Sequence, residues 1–371
     1  MVKILEKVSF IMTVFNESRS IGLFLDSLFC QESMPSEIII TDGGSTDDTC
    51  KVIAGYFMHL CKTYQYDTAG SDSTNGSIIA VNGKTGKVFE GISDSGIRLL
   101  LLIARGSRIS SGRNISIKNA SGDFVCISDG GCIAGRDWFN EISRYYYSNP
   151  AGEVTGGYSF PYADSFFKAC LAVCILPKKN EINPGSFMPS SRNIGFVKHA
   201  WEKAGGYPEN MDYGEDMKFN FNLIYSGFSI KFNPQAEVYW NLRNNPAAVF
   251  RQFFRYAKGD AVGRMYPYRH AIRAVSLLLL AAVITASIII SPYVLFLLLI
   301  LMAAYSYKPY LRINYFLKNR LACPFIKNKK YLASARLKIV FLIPLMLIYI
   351  DIAKLSGYIF GIVKRKSENF K

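Results

Sequence analysis

The sequence predicts an α/β protein in which a mainly parallel sheet, with helices on both faces, precedes a group of apolar helices. Between residues 8 and 239, short apolar segments alternate with segments of helical periodicity, which is typical of parallel sheets covered on both sides. Apolar segments then occupy 272–290 and 293–307, and a third apolar run covers 339–363. We therefore expect two domains, an α/β domain over 1–265 and a membrane-associated region over 266–371.

The spacing of apolar residues locates the elements of the α/β domain. The predicted strands are 8–14, 37–41, 99–104, 123–128 and 229–239, and the predicted helices are 18–31, 46–59, 113–120, 164–176 and 215–226. The segment 67–97 is rich in Gly, Ser, Asp and Asn, so we expect a loop or insertion there, with a small hairpin joining 78–81 to 87–89.

The net charge of +15 is compatible with nucleic acid, an anionic membrane or a phosphorylated substrate as partner. Much of the positive charge lies beside the apolar segments, in a basic loop predicted over 308–338 and at 364–366. Basic residues that flank apolar spans are typical of the cytoplasmic side of a membrane. This distribution favours a membrane surface, and we expect no nucleic-acid partner.

The apolar C-terminal region predicts two or three membrane helices, at 272–290, 292–307 and 339–363. Asp351 and Lys354 interrupt the third run, so it either spans the bilayer or forms a re-entrant or interfacial helix. The first seven residues carry charges where a secretion signal needs an apolar core. We expect a multi-pass protein of the cell membrane, with the domain 1–265 in the cytoplasm.

Polar residues follow three predicted strands at their carboxyl ends. They are Thr13 and Glu17 after the first strand, Asp42 after the second, and Asp129 after the strand at 123–128. In open α/β sheets, ligands bind beyond the carboxyl ends of the strands. Each acid alone has a structural explanation, such as a turn at Asp42 or a first helical turn at Glu17. Acids after three strands together predict a ligand site.

Four segments resemble, in order and spacing, the motifs of family 2 glycosyltransferases with the GT-A fold. The segments are VSFIMTVFNE (8–17), EIIITDGGSTDDT (37–49), SSGRNISIKNASGDFVCISDGG (110–131) and GGYPENMDYGED (205–216). The resemblance covers about residues 8–260. It implies that a nucleoside-diphosphate sugar binds near Thr13, Glu17 and Asp42, and that Arg113 faces the nucleotide or its phosphates.

The resemblance also implies a divalent cation, Mg²⁺ or Mn²⁺, because a leaving diphosphate needs its charge neutralised. Asp129 occupies the first position of the family's Asp-x-Asp metal motif. Gly131 occupies the second position and has no ligating group. A metal bound here therefore relies on Asp129 with water and diphosphate oxygens, or on another acid.

Glu215 and Asp216 resemble the family's Glu-Asp pair on the acceptor side. Inverting transfer requires a base that takes the proton of the acceptor hydroxyl, and we assign this role to Asp216 with Glu215 beside it. The structural alternative is a pair of acids that stabilises a helix N-terminus through its dipole.

Two further segments are candidates for the acceptor or diphosphate side. Arg192 lies in PSSRN (189–193), before a predicted helix. Gln252, Arg255 and Tyr256 resemble the Gln-x-x-Arg-Trp element of processive members, with Tyr in place of Trp. The alternative for this segment is an amphipathic interfacial helix over 247–260, whose phenylalanines meet lipid.

The sequence therefore predicts an inverting transferase that uses a nucleoside-diphosphate sugar and acts on a membrane-presented acceptor, lipid-linked or glycan. The main alternative is a degenerate transferase domain that binds nucleotide sugars or acts as a scaffold, and Gly131 favours it. A transporter is disfavoured because two or three apolar segments offer little for a translocation path. The eight cysteines show no CxxC spacing and predict neither a metal site nor a disulfide framework.

Overall fold

The computed structural model describes residues 2–66, 80–81, 85–149, 153–319 and 322–368. The chain forms two compact units. The first consists of 1–159 and 183–240, and the second of 160–182 and 241–371. The predicted division at residue 265, which separates a catalytic from a membrane-associated region, stays a prediction.

The described residues form eleven strands, which join in one sheet. In chain order these are β1 (Lys3–Val14), β2 (Ser33–Asp42), β3 (Thr63–Tyr66), β4 (Ala80–Val81), β5 (Thr85–Ile92), β6 (Arg98–Ala104), β7 (Phe124–Ser128), β8 (Cys132–Ala134), β9 (Glu153–Tyr162), β10 (Asn193–Val197) and β11 (Ser229–Asn241). The sheet order is β3-β5-β6-β2-β1-β7-β10-β9-β11-β8, and β4 pairs with β5.

The centre of the sheet is parallel. β1 pairs in parallel with β2 and β7, and β2 with β6, whereas β5 and β10 join this centre antiparallel. Val14 lies opposite Asp42, and Ile11 opposite Ile127, so β1, β2 and β7 end at the same edge. The predicted α/β class is confirmed, with the parallel pairs confined to the middle of a mixed sheet.

Eleven α-helices lie in the described part of the chain. They are α1 (Ile21–Phe29), α2 (Thr49–Leu60), α3 (Ile109–Lys118), α4 (Trp138–Ser148), α5 (Phe166–Ile175), α6 (Lys198–Lys203), α7 (Glu215–Tyr225), α8 (Pro246–Val262), α9 (Pro267–Ile289), α10 (Val294–Leu317) and α11 (Lys329–Glu368). Each predicted helix of the α/β domain overlaps one of them. α3 starts four residues before the predicted 113–120.

Five elements have no counterpart among the sequence predictions, namely β3, β8, α4, β9 and β10. The aromatic sequence of α4 has weak intrinsic helix propensity, so the helix is stabilised mainly by tertiary packing. Trp138 and Phe139 of α4 are fully buried, with ring contacts to Phe10 of β1. Of the predicted hairpin, the antiparallel pairing of β4 with β5 is present, while residues 78–79 lie outside the described residues.

The second unit contains three helices long and apolar enough to cross a membrane, α9, α10 and α11. They contain the predicted segments 272–290, 292–307 and 339–363 apart from one or two residues at the ends. The predicted basic loop 308–338 is helical at both ends, since α10 runs to Leu317 and α11 starts at Lys329. Asp351 and Lys354 do not break α11, which is one continuous helix.

Helix α8 packs closely against α11. A Cβ atom on Gly357 would lie 2.1 Å from the carbonyl oxygen of Phe254, and one on Gly361 would lie 2.7 Å from the Cβ of Ala261. Two glycines four residues apart let two helix backbones approach in this way. Phe250 and Phe254 contact Tyr349 and Phe360 of α11. Both phenylalanines therefore pack on α11, and their expected contact with lipid stays a prediction.

Candidate active site

The first group of candidate residues lies where β1 and β2 end, and hydrogen bonds join the two loops there. Asn16 Oδ1 accepts a hydrogen bond from the Thr46 amide at 2.9 Å, and the Glu17 amide donates to Thr49 Oγ1 at 2.8 Å. Asn16 has a φ of +54°, a conformation that asparagine adopts more readily than most residues. The two loops therefore hold each other in place beyond the sheet edge.

Asp42 is fully buried at the end of β2. Its Oδ1 accepts hydrogen bonds from the amides of Gly44 and Ser45, at 2.7 and 2.6 Å. Its Oδ2 is buried as well, and no nitrogen or oxygen donor among the described residues reaches it. The Cys50 thiol lies close to this carboxylate, but a thiol is a weak donor, so the buried oxygen is a good partner for a ligand hydroxyl or N–H group.

Helix α3 lies close to the end of β1. A Cβ atom on Gly112 would lie 2.8 Å from Cγ2 of Thr13, so glycine allows this approach. The next residue, Arg113, is thereby carried towards the strand ends. The structure thus places Thr13, Asp42 and the start of α3 at one edge of the sheet.

Arg113 lies at the centre of the site and is only 2% exposed. Its guanidinium donates to Asp129 Oδ1 at 3.1 Å and to Glu215 Oε1 at 2.9 Å. The guanidinium carbon also lies 5.2 Å from the ring centre of Tyr207. Burial opposes the charge of Arg113, but the two carboxylates outweigh this effect and raise its pKa above the ordinary value.

Glu215 and Asp216 open helix α7, after Gly214 in the left-handed conformation at a φ of +73°. Burial, followed by the negative charge of Asp216, raises the pKa of Glu215 to about 7 against the lowering effect of Arg113. Asp216 Oδ2 accepts a hydrogen bond from Ser190 Oγ at 3.1 Å. Two adjacent carboxyl groups therefore have different partners, one a buried cation and the other a hydroxyl group.

Arg192 belongs to the loop that also carries Ser190. Its guanidinium carbon lies 3.9 Å from the ring centre of Trp240, in stacking contact. The loop is held by Asn193, whose Nδ2 donates to the carbonyl of Ala236 at 2.8 Å, and by Asn220, whose Nδ2 donates to that of Pro189 at 2.6 Å. Arg192 precedes β10 directly, and the helix predicted after it, α6, starts at Lys198.

The residues of the predicted metal position are Asp129 and Gly131. The Asp129 side chain is 35% exposed, and a Cβ atom on Gly131 would meet no heavy atom within 4 Å. No group of three or more His, Cys, Asp or Glu side chains that could hold a metal occurs among the residues described. This donor set fits a cation that takes most of its ligands from a bound diphosphate and water, as Mg²⁺ commonly does.

Three partners of the site were not predicted from the sequence, namely Ser190, Tyr207 and Trp240. Each contacts a predicted site residue that lies far away along the chain. The local sequence pattern around either residue therefore does not indicate that the two are in contact. Gln252 and Arg255 lie on α8, in the second compact unit. There Gln252 is buried and its Nε2 donates to Tyr256 Oη at 3.0 Å, whereas Arg255 is exposed.

Comparisons with known proteins agree with the motifs. The profile of glycosyl transferase family group 2 matches residues 143–350, and that of glycosyl transferase family 2 matches residues 9–65. A poly-beta-1,6-N-acetyl-D-glucosamine synthase of Staphylococcus epidermidis is 23% identical over 262 residues, which are 68% of this chain and 54% of that protein. The chain thus spans about half the length of the curated relatives it matches.

Two solved structures resemble the chain over most of its length. One is the mannosyltransferase PcManGT from Pyrobaculum calidifontis in complex with GDP-Man and Mn²⁺, with 15% identity, a TM-score of 0.48, and coverage of 94% of this chain and 87% of that one. The other is S. aureus TarS 1-349 in complex with UDP, with 12% identity, a TM-score of 0.45, and coverage of 97% and 91%. Because the family group 2 profile covers more than half of its residues, the chain belongs to glycosyl transferase family group 2.

Proposed function

We propose that the chain is an inverting glycosyltransferase that moves a sugar from a nucleoside-diphosphate sugar to a membrane-presented acceptor at the cytoplasmic face. The observation that carries the proposal is the pairing of buried Arg113 with Asp129 and Glu215, next to Asp216. This cluster combines a fixed positive charge with a carboxylate available as a base. Both are needed when a diphosphate leaves and a hydroxyl group attacks.

The donor would lie beyond the ends of β1, β2 and β7. Asp42 Oδ2 would accept a hydrogen bond from the base or ribose, and Thr13 and Glu17 would line the same edge. Arg113 would face the diphosphate, where its charge stabilises the developing negative charge of the leaving group. The preformed pairs with Asp129 and Glu215 hold the guanidinium in place before the donor arrives.

Asp129 would hold a divalent cation together with oxygens of the diphosphate. Such a cation, when bound, neutralises part of the leaving-group charge. Arg113 carries a positive charge at the same carboxylate, 3.1 Å from Asp129 Oδ1. The protein's own cation therefore shares this task, which explains how a site with glycine at position 131 can still support transfer.

Asp216 would act as the base. Among the described residues, its Oδ2 accepts a hydrogen bond from the hydroxyl group of Ser190, which an acceptor hydroxyl can replace without separating an ion pair. Glu215 is tied to Arg113, so its role is to position the guanidinium rather than to receive the proton. Attack on the anomeric carbon opposite the leaving diphosphate inverts its configuration.

The acceptor would be lipid-linked, or a glycan presented at the membrane. Three helices of the second unit are long and apolar enough to cross a bilayer. Tethering an enzyme to the surface where its acceptor resides raises the effective acceptor concentration. Arg192, Gln252 and Arg255 are proposed for the acceptor or diphosphate side, on the strength of the motifs that contain them.

A second candidate function is a non-catalytic member of the family that binds nucleotide sugars at the membrane. The observation that favours it is Gly131, which leaves Asp129 as the only acid of the metal motif. The two candidates differ in turnover, because a binding protein releases no nucleoside diphosphate from a sugar donor.

The experiment is a donor screen with full-length protein reconstituted in lipid nanodiscs. UDP-, GDP- and dTDP-sugars are tested one at a time, including nucleotide esters of N-acetylglucosamine because of the curated relatives' name. Release of nucleoside diphosphate is measured with and without added membrane lipid extract. We expect release from one donor class, stimulated by the extract; binding without release from any donor would favour the second candidate.

A further inference from the structure

Tyr207 is a buried tyrosine that contacts three parts of the candidate site. Its ring lies against the guanidinium of Arg113, with 5.2 Å between the guanidinium carbon and the ring centre. The same ring stacks on Phe219 of helix α7, which also carries the proposed base, at a centroid distance of 4.1 Å. Its hydroxyl group forms a hydrogen bond of 2.8 Å with Ser191 Oγ. One side chain therefore touches the arginine, the helix of the base and the loop 189–193.

The backbone of Tyr207 is fixed by Asn114, the residue that follows Arg113 in α3. Asn114 Nδ2 donates to the carbonyl of Tyr207 at 2.9 Å, and Asn114 Oδ1 accepts from the Tyr207 amide at 2.9 Å. The remaining capacity of this side-chain amide is used by Glu209 Oε1 at 2.8 Å and by Trp201 Nε1 at 3.0 Å. All four hydrogen-bonding positions of Asn114 are therefore occupied. Arg113 and Tyr207 are thus held side by side through consecutive residues of one helix.

The hydroxyl end of Tyr207 is buried together with its partner. Tyr207 and Ser191 are 1% and 2% exposed, so their hydrogen bond is shielded from water. A buried hydroxyl group that loses its partner has no water to replace it, which makes the bond costly to break. Ser191 lies between Ser190, which donates to Asp216 Oδ2, and Arg192, a candidate for the acceptor or diphosphate side. The bond therefore anchors the middle of the loop that touches the proposed base.

We propose that Tyr207 is a positioning residue that couples the donor side of the site to the acceptor side. Its ring keeps the Arg113 guanidinium in place, and its hydroxyl group keeps Ser190 and Arg192 in place through the residue between them. A tyrosine has only two rotatable side-chain bonds, so a constraint on Arg113 by a bound diphosphate is transmitted to the loop 189–193. The proposal rests on the proposed function, which defines the two sides.

The test follows amide hydrogen exchange of the full-length protein in lipid nanodiscs. UDP, GDP and dTDP are added one at a time with Mg²⁺, without any sugar donor. In the wild type we expect the nucleotide that binds to slow exchange in peptides that cover 189–193 as well as in those that cover α3. Tyr207→Phe keeps the ring and removes the hydroxyl group, so we expect similar nucleotide affinity but no slowing in 189–193. Slowing equal to that of the wild type would overturn the proposal, because the nucleotide would then reach the loop without Tyr207.

Exchange without nucleotide gives a second measure. Tyr207→Phe is expected to speed exchange in 189–193 about two- to tenfold, the effect of losing one buried hydrogen bond. Ser191→Ala removes the other partner, and the double variant should exchange like Tyr207→Phe alone, because both lack the same bond. Tyr225→Phe is the matched control, since Tyr225 is 80% exposed at the far end of α7. Exchange in 189–193 that is the same in Tyr207→Phe as in the wild type would contradict the proposal.

Steady-state kinetics separates positioning from a purely structural role. With the donor identified by the screen, Tyr207→Phe should lower kcat about tenfold and leave the KM for the donor within about twofold. Tyr207→Leu also removes the ring from Arg113, so it should in addition raise this KM by about threefold to tenfold. A raised donor KM with unchanged kcat in Tyr207→Phe would contradict the assigned roles of ring and hydroxyl group.

Failure of this proposal and failure of the proposed function give different results. Turnover by a wild type whose exchange in 189–193 does not depend on Tyr207 would leave the transferase assignment standing and remove the coupling. Protection of this loop by a nucleotide through Tyr207, without turnover of any donor, would support the coupling and favour the second candidate function.

Discussion

Arg113 is the residue through which the parts of the candidate site are connected. It joins Asp129, at the end of a central parallel strand, to Glu215, at the start of α7. Removing one partner from a buried ion pair usually costs several kcal/mol, because the other charge is left without a partner. The position of each carboxylate therefore depends on the same guanidinium, and we expect donor binding and base positioning to be coupled.

The raised pKa of Glu215 predicts a dependence of stability on pH. The pKa of an unfolded glutamate is about 4.3, and burial beside Asp216 raises the pKa of Glu215 to about 7 in the folded protein. Between these two pKa values the folded state binds more protons than the unfolded state. The contribution of Glu215 to the free energy of unfolding is therefore highest below about pH 4, and it falls as the pH rises to about 7. The variant Glu215→Gln lacks this contribution.

Thermal unfolding of the wild type and Glu215→Gln at several pH values measures the effect. The three tryptophans, Trp138, Trp201 and Trp240, all lie in the first unit, so their fluorescence reports on this unit. We expect the variant to gain stability relative to the wild type as the pH rises through the window. A relative loss would mean that ionised Glu215 stabilises the fold.

Under the proposed function, Gly131 would limit how strongly the site holds a cation. We expect a chelator to lower transfer without abolishing it, because Arg113 would also neutralise the diphosphate. The variant Gly131→Asp places a second carboxylate in open space beside Asp129 and should tighten Mn²⁺ binding in the presence of nucleotide about tenfold.

The measurement is titration of Mn²⁺ by calorimetry, with activity followed in parallel. Gly185→Asp, which adds the same charge in an exposed 3-10 turn elsewhere in the first unit, is the control. Equal Mn²⁺ affinity in both variants, or full activity of the wild type in chelator, would contradict the proposed cation site at Asp129.

At the scale of elements, packing against α11 fixes the position of α8. Gly357 allows the closest approach, since a Cβ there would lie 2.1 Å from the carbonyl oxygen of Phe254. The variant Gly357→Ala must therefore displace a backbone, at a cost of about 1–3 kcal/mol. The thermal aggregation midpoint of the detergent-solubilised protein should fall by several degrees, while Ser356→Ala on the exposed face of α11 should leave it unchanged. Equal midpoints would show that the two helices can separate freely.

The elements that could be predicted from sequence are those whose pattern of apolar residues is visible within their own segment. The central strands β1, β2, β6 and β7 are continuous apolar segments, and buried parallel strands have this pattern. α4 and β10 were not predicted because residues far away along the chain stabilise them. An example is Phe10 of β1, whose ring contacts Trp138 of α4. The same reason explains the site, where Asp216 and Arg113 were predicted from motifs but their partners Ser190 and Tyr207 were not.

At the scale of the whole molecule, the three apolar helices predict an integral membrane protein. The net charge of +15 alone would allow reversible binding to an anionic surface, which salt weakens. Burial of helices α9, α10 and α11 in hydrocarbon does not depend on salt or pH. We expect the protein to stay in the membrane pellet after high-salt and alkaline carbonate washes and to be released only by detergent. Release by carbonate would identify a surface-bound protein.

The central claim is that Asp216 is the base of a sugar-transfer reaction. The most direct measurement compares transfer by the wild type, Asp216→Asn and the control Asp123→Asn, a surface residue paired with Lys7. We predict that Asp216→Asn keeps its fold and its affinity for the donor but loses about 10²–10⁴-fold in kcat, while Asp123→Asn transfers like the wild type. Near-normal turnover by folded Asp216→Asn would contradict the account.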